Sequence, residues 1–67
     1  MEAGWTMVTY FDKRSRAEMF VSLLESMKIQ AVNINKKGSE LLVGSVEVYV
    51  REEDLEKAKE CLNTFEN

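Results

Sequence analysis

Val46, Val48 and Val50 alternate with Glu47 and Tyr49, and an acidic run, Glu52-Glu53-Asp54, separates them from Leu55, Ala58, Leu62 and Phe65. The period of two marks a strand with one buried face. The acidic run suits the first turn of a helix, where carboxylates meet the positive end of the dipole. The later apolar residues fall on one helical stripe, with Cys61 beside it. A strand that passes straight into a helix, each apolar on one side only, needs a sheet packed on helices, so the chain is α+β.

The same reading extends upstream. Trp5-Thr6-Met7-Val8-Thr9-Tyr10-Phe11 is β-branched and aromatic, and makes a first strand. Its odd positions, Trp5, Met7, Thr9 and Phe11, are expected to face inward. From Ser15 to Met27, Ala17, Phe20, Val21, Leu24 and Met27 recur at helical spacing with Leu23 on the flank. Ser15 is a better N-cap than Asp12, because Glu18 stands three residues later in capping-box spacing. Ile29 to Asn35 sets Val32 and Ile34 against Ala31, Asn33 and Asn35, a short strand with polar residues outward. Lys36-Lys37-Gly38-Ser39 is a turn, and Leu41-Leu42-Val43-Gly44 either begins the next strand early or forms a bulge before it.

The order β-α-β-β-α has few solutions. A right-handed crossover makes the first two strands parallel, and the third fits between them antiparallel. The expected fold is a ferredoxin-like βαββα two-layer sandwich, sheet order 1-3-2, with two helices on one face and no last strand. The first strand is then a free edge, along which a second chain is expected to pair over Thr6–Tyr10. The uncovered face is expected to carry Val8, Tyr10, Glu47 and Tyr49 with Ala31 and Asn33. Leu24, Val48 and Leu62 are expected at the centre of the core.

With 67 residues and no proline or internal repeat, one domain over 1–67 is expected. A core of that size supplies only ~3–5 kcal/mol, so association is a natural supplement. The formal charge of −3 argues against general affinity for nucleic acid or anionic membranes. A single cysteine and no histidine remove an internal disulfide, a zinc site and most acid-base chemistry. The start of the chain has no signal-peptide pattern and no apolar run reaches membrane length, so a cytoplasmic location is expected.

Candidate sites follow from charge and topology. Glu52, Glu53 and Asp54 read as a solvated first turn rather than a cation site, and Cys61 as a small hydrophobe. If the first two strands are parallel, Lys13, Arg14 and Arg16 after the first and Lys36 and Lys37 after the second meet at one end of the sheet. The first helix begins there, which favours an anion such as a phosphorylated small molecule. A partner surface is expected from the edge strand and open face: Trp5, Thr6, Val8, Tyr10 and Tyr49. No catalytic residue, metal or cofactor is expected.

Three stretches carry a family resemblance: Val8-Thr9-Tyr10-Phe11-Asp12, Ala17-Glu18 through Ser22-Leu23-Leu24-Glu25-Ser26 to Ile29, and Val46-Glu47-Val48-Tyr49-Val50 with Glu52-Glu53-Asp54-Leu55-Glu56-Lys57-Ala58. The chain resembles the putative prokaryotic signal-transducing protein family, a small domain of undefined function placed near the PII-like ferredoxin folds. The matching positions bear the fold, so the resemblance implies β-α-β-β-α more firmly than an activity. Arg51 stands where proline is expected, and the cysteine-rich tail of some relatives is lacking, which removes any reason to invoke zinc. The chain is therefore expected to be an interaction or regulatory module that self-associates as a homodimer or binds another protein. The alternative is an anion- or nucleotide-sensing module, and an enzyme is not expected.

Overall fold

The computed structural model describes residues 3–36 and 45–67. Strand β1 (Trp5–Phe11) leads into helix α1 (Arg14–Ser26), then β2 (Ala31–Lys36), β3 (Ser45–Arg51), a 3-10 turn (Glu52–Asp54) and helix α2 (Leu55–Glu66). The sheet order is β1-β3-β2 and both pairings are antiparallel, so β1 and β2 run parallel on either side of β3. The order and topology are those expected of a ferredoxin-like βαββα fold. Among the described residues β1 pairs on one side only. Lys37 and the Leu41–Val43 segment lie outside the described residues.

One cluster forms the core. Val46, Val48 and Val50 of β3 pack with Phe20, Leu24 and Ala17 of α1 and with Ala58 and Cys61 of α2, so both helices cover the same sheet face. Phe11, Phe20 and Phe65 close one end of this layer, with ring centroids 5.4 to 5.9 Å apart. Leu24 and Val48 are fully buried as expected, but Leu62 is only partly buried beside the cluster. On α2 the buried residues are Ala58 and Cys61 instead, small side chains that let the helix pack closely on its neighbours.

Strand β1 departs from simple alternation. Met7 pairs with Tyr49 and Thr9 with Val48, so Val8 is an extra residue opposite the step from Tyr49 to Val48. This one-residue bulge changes the phase of the strand. Thr9 and Phe11 share the covered face with Val48 and Val46, whereas Met7 and Trp5 pair with Tyr49 and Arg51 on the open one. The expectation that all odd positions face inward therefore fails before the bulge, where Thr6 pairs with buried Val50 and Val8 packs on the core.

Strand β2 is also turned over relative to expectation. Ala31 pairs with Val50 on the covered face and is buried, while Val32 and Ile34 pair with Tyr49 and Glu47 on the open side. Ala31 takes the covered place because α1 runs over the start of β2, where a small side chain fits. Asn33 and Asn35 lie on the helix side yet stay exposed. Polar groups there keep their water, so the strand tolerates them.

Helix α1 starts one residue earlier than expected. Lys13 is the N-cap, with extended backbone and no side-chain cap, which places Ser15 inside the first turn and excludes both Ser15 and Asp12 as caps. Its other end is well specified. The Lys28 N–H donates to the Glu25 carbonyl and the Ile29 N–H to that of Leu24, at 2.9 and 3.0 Å, around a left-handed Lys28 with φ 64°. This is a Schellman motif, and Ile29 and Leu24 are both buried as its hydrophobic contact requires.

Candidate functional site

Both helices lie on one side of the sheet, which leaves its other face uncovered. Three rows of side chains cross it, each fixed by strand register. Trp5 and Arg51 form one, Met7, Tyr49 and Val32 the next, and Tyr10, Glu47 and Ile34 the third. Met7 is 42% exposed, Tyr10 65% and Val32 40%, so apolar and aromatic surface is presented to water where a domain normally carries polar side chains.

Polar groups on this face are few and placed. The Tyr49 hydroxyl donates to Glu47 Oε1 at 2.9 Å, between residues two apart on the same side of β3. That bond, then burial, then the nearby negative charge push the Tyr49 phenol above its ordinary pKa. The Arg51 guanidinium stacks 5.0 Å from the Trp5 ring centroid, and its Nε donates to Gln30 Oε1 at 3.2 Å. Both charged groups are thereby held in defined positions at opposite ends of the face.

Of the expected partner surface, the structure brings Trp5, Tyr10 and Tyr49 together and turns Thr6 and Val8 under the helices. Sequence reasoning missed Met7, Val32, Ile34 and Arg51 as members. One signal for the bulge was present: β1 is apolar at both parities, and a strand whose phase switches midway leaves that pattern. Ala31 and Asn33, expected on this face, lie on the other.

The basic end is partly assembled. Phe11 pairs with Val46 and Lys36 with the adjacent Ser45, so the chain after β1 and the end of β2 lie at the same end of the sheet. Lys13 is exposed at the start of α1, whose first turn holds no acidic residue. Two of its guanidinium groups have partners, however. Arg14 Nε donates to Glu18 Oε2 at 3.0 Å, and Arg16 lies 4.7 Å from the Phe65 ring centroid.

Between the helices a groove is lined by Leu23, Met27, Ile29 and Cys61. Cys61 is a buried free thiol, and its Sγ donates to Met27 Sδ at 3.0 Å. Its burial beside a thioether and apolar side chains fits the expected small hydrophobe. Among the described residues no group of three potential metal ligands occurs, and no helix is long and apolar enough to cross a membrane.

Comparison with known proteins gives one match. The sequence model of the family described as "putative prokaryotic signal transducing protein" matches residues 5–66, all but the extreme ends, and the chain belongs to that family. No curated protein and no solved structure matches it.

Proposed function

We propose that this member of a signal-transducing family is a small protein-interaction module that works through the open face of its sheet. The observation that carries this reading is the row Met7, Tyr49 and Val32 with its neighbours Trp5, Tyr10 and Ile34. Among the described residues the buried core lies on the covered face, so this second apolar face adds little to the fold in isolation and gains when a partner removes it from water. A domain of this size also has little stability to spare, and association adds to it by mass action. The family description supports a regulatory role; self-association in the cytoplasm and the absence of catalysis are part of the same proposal.

The test is photo-crosslinking in cells with a benzophenone amino acid at Val32, against a control at Lys59, which is exposed on α2. Protein adducts from Val32 and none from Lys59 are expected. No adduct at Val32, or equal yields at both positions, defeats the reading.

The alternative of an anion-sensing module keeps one supporting observation: exposed Lys13 stands at the uncapped start of α1, followed by Arg14 and Arg16, at the same end of the sheet as the end of β2. Inorganic phosphate or ATP should then raise the melting temperature, and Lys13→Glu with Lys36→Glu should remove the effect without unfolding the domain. No shift with either ligand dismisses it.

A further inference from the structure

We infer that the open face binds a second copy of this chain through a two-fold axis that lies along the row Met7, Tyr49 and Val32. The inference rests on the reading of that face as a partner surface and specifies its occupant.

Charge placement is the argument. The face has a neutral middle row, a row with the carboxylate of Glu47 on one side, and a row with the guanidinium of Arg51 on the other. Within these three rows charge is thus antisymmetric about a neutral line, and Lys36, in register with Ser45, stands one row further out beyond Glu47. A two-fold axis along that line exchanges the outer rows, so it sets Glu47 of each copy over Arg51 of the other. It also sets Tyr10 over Trp5 twice and Tyr49 over its own counterpart, aromatic contacts of the kind that anchor interfaces. An unrelated partner would need no such antisymmetry.

Distances permit this pairing. Glu47 and Arg51 stand four residues apart on β3 and hence about 13 Å, each about 6.6 Å from the axis. Stacked sheets lie about 10 Å apart and cross at about 30°, which displaces the paired groups sideways by only about 3 Å. Glutamate and arginine side chains together span that gap. The Tyr49 hydroxyl occupies Oε1 of Glu47, and Arg51 donates to Gln30 through Nε, so Oε2 and the terminal guanidinium nitrogens are the groups that meet.

The area sets the strength. Three strands of about seven residues give a footprint of roughly 14 by 23 Å, well below the ~800 Å² per partner of a standard interface. The dimer is therefore weak and exchanges readily, as suits a regulatory contact.

Sedimentation equilibrium from micromolar to millimolar concentration tests this, with circular dichroism to confirm folding of each variant. Wild type should dimerise. Glu47→Arg and Arg51→Glu should each weaken the dimer about tenfold or more, because each brings like charges together. An equimolar mixture of the two should form heterodimers, and the double variant should dimerise as wild type does. Should a single variant fail to fold, the double variant still decides. A wild type that stays monomeric, or a charge exchange that restores nothing in the mixture or the double variant, overturns the inference. In that event, adducts from Val32 with proteins of another mass would keep the face as a partner surface, whereas no adduct at all would remove both.

Discussion

Two leucines, one on each helix, should respond very differently to the same truncation. Leu24 is fully buried between α1 and the sheet, whereas Leu62 lies at the margin of the core. Leu24→Ala removes three buried carbons, a transfer loss of about 2.4 kcal/mol at ~0.8 kcal/mol per methylene. The packed layer around it, with Val48, Val50 and Phe20 also fully buried, closes only partly over the space. The cavity term brings the cost to about 3 kcal/mol. Leu62→Ala loses roughly half of the transfer energy and leaves an open notch instead of a cavity, so about 1 kcal/mol is expected. A domain of this length has total stability of about 3–10 kcal/mol, so the first variant loses a third or more. At about 4–8 °C per kcal/mol, its melting temperature falls by about 12–24 °C and that of Leu62→Ala by about 4–8 °C. Urea unfolding followed by circular dichroism, with both variants keeping the wild-type slope, measures the difference directly. Equal losses, or a larger loss at Leu62, would refute the placement of α2 on the sheet.

Lys28→Gly should stabilise the fold by about 0.5–1 kcal/mol, because the left-handed conformation costs a lysine more than the extra unfolded-state entropy of glycine; a destabilised variant in the same urea assay defeats that account. The raised pKa of Tyr49 means that the folded chain holds the phenolic proton more tightly than the unfolded chain. Its stabilising contribution is present below the ordinary phenol pKa and lost as pH rises through the folded value. In a Tyr10→Phe background, where Tyr49 is the only tyrosine, ultraviolet titration should show it ionising at higher pH with Glu47 present than with Glu47→Ala, and coincident curves would exclude the bond. Phe65→Leu should cost about 1 kcal/mol by removing edge contacts to Phe11, and Arg16→Ala should cost less in the wild type than Phe65→Leu does.

Strand order and the helix-covered face were legible in the chain because two periodicities and a handedness rule determine them. Val46, Val48 and Val50 give the face of β3, the stripe from Ala17 through Phe20 to Leu24 gives that of α1, and a right-handed crossover does the rest. What was not legible was register. Period-two alternation says that two sets of residues oppose each other, but not which set turns inward when both contain apolar side chains, as in β1, or when the inward set is small, as with Ala31. The candidate surface lies on the very face that those ambiguous strands supply, so both tyrosines were placed on that face and several of their neighbours were not. The N-cap failed for a local reason: Ser15 and Glu18 have capping-box spacing, yet the helix already starts at Arg14.

The bulge at Val8 connects these points to the choice between edge and face as the route of association. A second chain pairing along Thr6–Tyr10 would need evenly spaced donors and acceptors on the free side of β1, and a one-residue insertion interrupts that spacing and sharpens the local twist. Bulges on edge strands discourage such pairing, and β1 has neither proline nor lysine to do so instead. The same insertion turns Trp5 and Met7 outward, next to Arg51 and Tyr49, and so completes the apolar face. One extra residue therefore disfavours strand pairing along this edge while it builds the open face on which contact with a second copy is proposed.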